Sequence, residues 1–233
     1  MIIALVNSKG GVGKSTIAGS LAGWLSEKDR SVILVDCDAQ QSSSRWIRDA
    51  QPNVRIVRLT NSDQVLDELP GLASEAEFIV CDAPGSQNET SRALLMWADL
   101  AIVPTKASMF DARALELNTT FIRQAQSIRK QGLDAVVVLS MVGKDFRLTR
   151  DMREAAGILG LKVANSFLSH RQAFADAPGQ ASFVWKLGFT AKAAAFELKS
   201  LFSELLPEIA SIGDELFESQ STDDNRAKRR KCK

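Results

Sequence analysis

Histidine occurs once in these 233 residues, at His170, and cysteine three times, at Cys37, Cys81 and Cys232. A single imidazole leaves almost nothing from which to build a His-ligated zinc site or a Ser-His-Asp triad. The cysteines are odd in number, widely spaced and without a C-x-x-C pair, which argues for reduced thiols in a cytosolic compartment and against a metal cage. No apolar run approaches the ~18 residues that a membrane helix needs. The first strand-like run begins directly after Met1, so no leader segment is expected. Charges nearly cancel, with 29 Lys and Arg against 28 Asp and Glu, and binding to nucleic acid would have to come from a local patch. With 45% apolar and 24% charged residues, neither a disordered nor a collagen-like chain is indicated. The length fits one α/β domain with a tail.

What is present is an alternation of short apolar runs and longer helical patterns. Strands are expected at 2–6, 32–35, 54–57, 78–81, 100–103, 135–139 and 162–164. Helices are expected at about 16–27, 43–50, 62–74, 89–97, 111–130, 147–159 and 190–206. This alternation predicts a mostly parallel, twisted sheet covered by helices on both faces. Ligands in such sheets bind beyond the carboxyl ends of the strands. Composition changes after Pro207. A single domain is expected over 1–207, followed by an extension at 208–233 whose last fifteen residues are polar and have almost nothing to bury.

Residues 8–16 read Ser-Lys-Gly-Gly-Val-Gly-Lys-Ser-Thr, between the first strand and the first helix. Glycines at 10, 11 and 13 let the backbone close around a polyphosphate at a helix N-terminus, with Gly10, Gly11, Val12, Gly13, Lys14, Ser15 and Thr16 forming the cradle. Lys14 would reach the β- and γ-phosphates, and the Ser15 hydroxyl would bind Mg²⁺. The common G-x-x-x-x-G-K-[ST] pattern would require glycine at position 8, where Ser8 stands. Lys9 is a second lysine that a phosphate loop does not ordinarily need.

Two further acidic segments end strands. After the second strand come Asp36 and Asp38, on the same side of an extended segment, where one could support a metal shell and the other orient a water. The same pair could instead form a turn that caps the next helix. Phe78 to Asp82 is an apolar strand ending in an acid, suited to gripping Mg²⁺ directly or through water. Ala83-Pro84-Gly85 follows as a turn, either a switch that senses the γ-phosphate or a plain helix entry.

Lys9-Gly-Gly-Val-Gly-Lys-Ser15 resembles the deviant Walker A box of the ParA/MinD family of ATPases, and the similarity runs from about Ile2 to Leu206. It is most specific over 8–16, then at 36–42 and 82–85; Ala39 departs from the proline of the family's Asp-x-Asp-Pro-Gln. The resemblance implies a P-loop NTPase fold with ATP and Mg²⁺ as cofactors. It makes Lys9, Lys14 and Asp38 catalytic, with Lys9 crossing into the site of a second subunit, and assigns Ser15, Asp36 and Asp82 to the metal. The segment Ser169 to Phe174 is similar to one near the base pocket of small plasmid-partition ATPases, which places Arg171 or Gln172 by the nucleotide base. The motif begins so early that no N-terminal helix-turn-helix domain is expected. A slow, partner-stimulated ATPase follows, one that dimerises with ATP, binds DNA without sequence preference and responds to a ParB-like adaptor on its cargo. A plasmid is the first expected cargo; positioning of a division site, an organelle or a transfer complex is the alternative, and a metabolic P-loop ligase a further one. The implied location is cytoplasmic and nucleoid-associated.

Between Val142 and Lys199, nine Lys or Arg stand against five Asp or Glu. Arg147, Arg150 and Arg153 share roughly one helix face, and Lys192 and Lys199 another, forming either a DNA-binding surface or an ordinary solvated one. Six of the eight residues from Arg226 to Lys233 are basic. This run could grip DNA or an anionic surface, or only aid solubility. It contains no large apolar residue, which argues against the amphipathic membrane helix of MinD-type proteins.

Overall fold

The computed structural model describes residues 1–85, 89–143 and 146–210; the basic C-terminal tail read above lies outside them. Seven strands form one parallel sheet in the order β3-β2-β4-β1-β5-β6-β7. In chain order they are β1 (Ile2–Leu5), β2 (Val32–Asp36), β3 (Arg55–Arg58), β4 (Phe78–Asp82), β5 (Leu100–Thr105), β6 (Asp134–Leu139) and β7 (Lys162–Val163). The helices are α1 (Lys14–Ser26), α2 (Ser42–Ala50), α3 (Ser62–Leu72), α4 (Glu89–Trp97), α5 (Met109–Ile128), α6 (Phe146–Ile158), α7 (Ala173–Gly179) and α8 (Lys192–Leu205). Every expected strand is present. The short α7 was not foreseen, because its seven residues carry no apolar period.

Parallel strands need crossovers, and their helices cover both faces, so the strand residues alternate between two apolar layers. Ile3 and Leu5, Leu34, Val80 and Ile102 join one layer with Ile17 and Leu21 of α1, Trp46 of α2 and Phe202 of α8. Ala4 and Val6, Ile33, Ile79 and Val103 join the other with Leu69 of α3, Leu94 of α4 and Leu115 of α5. Packing of the first layer continues past the expected boundary at 207, since Ile209 is buried within it.

Helix α1 is drawn close to its neighbours by small residues four apart. A Cβ at Gly19 would lie 2.6 Å from the Trp46 ring, and one at Gly23 would lie 2.2 Å from the fully buried Phe183 ring. The aromatic rings fill the space those side chains would occupy, which seats α1, and with it the phosphate loop, against α2 and the segment before α8.

Strand order and register also set the site. Leu5 pairs with Asp82, Asp82 with Asp36, and Asp36 with Arg58. These four residues form a row across the carboxyl edge, on the face that α1 and α2 cover.

Candidate functional site

The loop after β1 turns into α1 through Gly13, whose φ of 96° is left-handed and disfavours any side chain. Its backbone is pinned from two strands away: the Ser140 hydroxyl, just beyond β6, donates to the Val12 carbonyl at 2.6 Å. Gly10, Gly11, Gly13, Lys14, Ser15 and Thr16 line a cavity of about 800 Å³. The turn at Pro84-Gly85 forms part of its wall, and a Cβ on Gly85 would approach the Gly10 Cα to 3.3 Å. The turn after β4 and the phosphate loop are thus in backbone contact.

Lys14 is buried, and its ammonium donates to the Lys9 carbonyl at 3.1 Å. Burial lowers its pKa, while Asp82 and Asp38 act in the opposite direction. Asp82 is fully buried, and neither carboxylate oxygen has a hydrogen-bond partner. Burial pushes this carboxyl up to about 7, opposed by the nearby hydroxyls of Ser15 and Ser43 and by Lys14. An orphaned buried carboxylate beside the Ser15 hydroxyl fits a hard cation such as Mg²⁺. Among the described residues no group of three His, Cys, Asp or Glu side chains gathers as a metal cage. Mg²⁺ commonly makes do with one or two protein oxygens plus phosphates and water.

Asp36, expected beside the metal, is held by two backbone N–H groups. Its Oδ1 accepts from the Asp38 N–H at 2.9 Å and its Oδ2 from the Ser44 N–H at 3.0 Å. The carboxylate therefore braces the 37–41 turn and the start of α2, the capping alternative. Asp38, held forward by that turn, lines the cavity with Ala39, Gln40 and Ser42. Its Oδ1 accepts from the Gln40 N–H at 2.9 Å.

Lys9 folds back onto its own chain. Its ammonium lies 2.8 Å from Oδ2 of Asp111, a fully buried residue in the first turn of α5. The Ser108 hydroxyl, which caps that helix, bonds the same oxygen. The loop before Lys9 is tied to α5 and β5 as well, with Ser8 N–H donating to Asn118 and Asn7 to the Pro104 carbonyl.

A second, smaller cavity of about 160 Å³ opens beside the loop, lined by Gly13, Thr16, Ser140, Met141, Ser169, His170, Arg171 and Phe174 among others. Thr16 and Gly13 belong to both cavities, so the two adjoin at the start of α1. Arg171 lies there as the sequence suggested. Gln172 does not; it starts α7, and its amide donates to Asp176 at 3.0 Å. Glu197 of α8 holds the wall in place. Its carboxylate accepts from the Ser169 N–H at 2.9 Å, the Ser169 hydroxyl at 2.8 Å and the Arg171 guanidinium at 2.7 and 3.0 Å. Glu204, two turns on, accepts from the N–H groups of Asn165 and Ser166, and those bonds draw its pKa down against the opposing effect of burial.

Sequence reasoning missed Glu197, because an acid in an amphipathic helix reads as a solvated residue. It also missed Arg58 and Thr60, which line the large cavity from β3. The Cys37 thiol lines the cavity too, but burial pushes its pKa up to about 12, so it offers no nucleophile at neutral pH.

The candidate DNA residues are divided by the fold. Arg147 and Arg150 extend from α6 and flank Asp151 at 4.0 and 3.8 Å, with side chains 83% and 77% exposed. Arg153 departs from them: its guanidinium turns inward and donates to the carbonyls of Ala164 and Asn165. On α8, Lys192 and Lys199 are exposed, and the Lys192 ammonium lies over the Phe189 ring.

The sequence profile of the CobQ/CobB/MinD/ParA nucleotide binding domain matches residues 3–183. The chain is 28% identical over 212 residues to the maintenance of carboxysome distribution protein A of Halothiobacillus neapolitanus, spanning 88% of this chain and 96% of that one. It is 23% identical over 148 residues to protein ParA of Rhizobium radiobacter, spanning 63% and 67% of the two chains. Among solved structures, the fold is similar to that of Cyanothece McdA in complex with ATP, with a TM-score of 0.71 at 14% identity over 88% of this chain and 95% of that one. The MinD cell division protein of Aquifex aeolicus superposes with a TM-score of 0.64 at 13% identity over 84% and 94%.

Proposed function

Because this chain belongs to the CobQ/CobB/MinD/ParA family of nucleotide-binding proteins, we propose that it is an ATP-hydrolysing switch that dimerises with ATP and positions a cargo along DNA. The observation that carries this reading is the pair of lysines converging on one loop. Lys14 is buried within the cradle, while Lys9 is parked 2.8 Å from Asp111 at its rim.

In this reading the loop N–H groups and Lys14 bind the phosphates, and Asp82 with Ser15 would hold Mg²⁺, which would supply positive charge against the phosphates. Asp38 projects from the turn that Asp36 braces and orients the attacking water. Lys9 leaves Asp111 when a second nucleotide-bound subunit approaches and neutralises phosphate charge across the interface. Hydrolysis removes the γ-phosphate that the Gly85 turn reads through its contact with the loop, and the dimer separates. Arg147 and Arg150 on α6, and Lys192 and Lys199 on α8, supply phosphate contacts to duplex DNA.

The relatives support a reading of the cargo. The similarity to a carboxysome distribution protein spans nearly that protein's whole length, which favours a protein organelle or other large assembly; the partial similarity to ParA supports plasmid partition as the second reading. A small adaptor protein on the cargo would stimulate hydrolysis. The deciding experiment is size-exclusion chromatography with light scattering, in ATP, ADP and no nucleotide, on wild type and Asp38→Ala. ATP should convert the monomer to a dimer, more persistently in the variant; a monomer under all conditions would refute the switch.

A further inference from the structure

Arg58 ends β3 at the level of Asp36, one strand in, and of Asp82, two strands in. Its neighbour Ile56 packs into the layer shared with α1 and α2, so alternation puts Arg58 on the same face as the phosphate loop. Arg58 lines the large cavity together with Asp38, Gln40, Ser42 and Thr60.

Arg58 is a half-buried edge-strand arginine with no acceptor on its own chain among the described residues. Its Nη1 is buried without a hydrogen-bond partner, and no ion pair involves it among the described residues. Arg30 and Arg55 pair with Glu77 and Glu75, though Arg30 also keeps a buried Nε without a partner; Arg123, Arg129 and Arg153 meet backbone carbonyls, Arg171 meets Glu197, and Arg45, Arg48 and Arg113 are exposed to solvent. A buried guanidinium N–H left unmet is costly, and an anion entering the adjoining cavity would offset that cost with a charge-assisted bond. That space is the one in which Lys14 and the loop N–H groups converge. Two strand spacings, about 10 Å, separate the backbone of Arg58 from that of Asp82. A long side chain from β3 thus spans the part of the cavity beyond the metal position, on the side of Asp38.

We propose that Arg58 is a phosphate-binding residue of this site, receiving the terminal phosphate group on the wall opposite Lys14. This rests on the reading of the cavity as an ATP site and extends it. Arginine suits the task, since its planar fork meets two phosphate oxygens at once and stays charged at any working pH. The phosphate can be met in two forms, still attached as the γ-group or cleaved and not yet released.

The test compares Arg58→Ala and Arg58→Met, the second keeping the apolar stem, with wild type by titrating ATP and ADP in the presence of Mg²⁺. A third arm titrates inorganic phosphate into the ADP-bound protein. If Arg58 holds the attached γ-phosphate, affinity for ATP falls at least about tenfold in both variants while that for ADP stays within about twofold. If it holds the cleaved group, ATP binding is unchanged and phosphate binding to the ADP form weakens by a similar factor. Equal losses for ATP and ADP, or no loss in any arm, would overturn the proposal. A wild-type protein that binds neither nucleotide would instead refute the ATP reading itself, in an arm that contains no variant.

Discussion

Lys9 and Asp111 stand 102 residues apart in sequence and 2.8 Å apart in space. The ammonium is partly exposed and the carboxylate is not, and Oδ1 of Asp111 has no partner at all. An ion pair with one desolvated member is strong only while both members are present. The lysine that should serve a second subunit is therefore retained by its own chain until something competes for it.

Replacing Asp111 with Asn should release Lys9 and lower the ATP concentration needed for dimerisation, by a factor of about ten for a hydrogen bond to a charged group. Lys9→Ala should keep nucleotide binding yet lose hydrolysis and stimulation. Light scattering against ATP concentration and a phosphate-release assay measure the two effects. Wild-type turnover in Lys9→Ala would remove the second lysine from the mechanism.

Asp82 gives the site a pH dependence. Its carboxyl is raised from an ordinary value of 3.8 to about 7, so between those values the folded state holds a proton that the unfolded chain has released. In the metal-free protein this contribution to stability is fully present below about pH 4 and is lost as pH rises through about 7. Mg²⁺ requires the carboxylate, so its affinity should climb roughly tenfold per pH unit up to about 7 and then level off. Asp82→Asn should be at least as stable as wild type without metal at pH 7.5, and should lose the stabilisation that Mg²⁺ with ATP provides. Calorimetry across pH would show it, and a flat wild-type metal affinity would contradict it.

Glu197 touches no ligand; it positions the wall of the smaller cavity. Glu197→Ala should weaken ATP binding about tenfold and leave binding of inorganic tripolyphosphate, which has no base, unchanged. Competition titrations with both compounds separate the two. A parallel loss for both would mean that α8 supports the whole domain and not the base wall in particular.

Gly23→Ala should destabilise the protein by about 1–3 kcal/mol, the usual range for overpacking a core, because the added methyl meets the Phe183 ring. Denaturant unfolding measures the change, and the companion Gly23→Ala/Phe183→Leu should recover part of it. An unchanged midpoint in the single variant would mean that α1 is free to shift.

DNA retention should fall in Arg147→Glu/Arg150→Glu and in Lys192→Glu/Lys199→Glu, with ATP-dependent dimerisation intact in each. Every phosphate contact removed should reduce the slope of log affinity against log salt by about 0.9. Fluorescence anisotropy on a random-sequence duplex at several salt concentrations is the measurement; unchanged binding in both variants would remove α6 and α8 from the interface.

The local pattern of this chain was legible in one dimension. Strands such as Ile2–Leu5 and Phe78–Asp82 are apolar throughout because helices cover both faces of a parallel sheet, and the loop at 8–16 declares a phosphate site because only glycine permits that backbone. Helix α7 escaped notice, being too short for a period, and the two N–H groups that Asp36 meets were not legible, because sequence does not show which donors a carboxylate will find.

The sequence by itself determined the alternating α/β architecture, the phosphate loop, and the acids at the strand ends, all consequences of local backbone geometry and periodic burial. Only the tertiary structure decided which distant groups meet. It tied Lys9 to Asp111, turned Arg153 away from Arg147 and Arg150 toward two loop carbonyls, set Glu197 against Ser169 and Arg171 of the smaller cavity, and placed Arg58 at the lining of the larger one. Charged side chains are long and find partners across crossovers of tens of residues, so their pairing depends on strand order and register, which no local window contains.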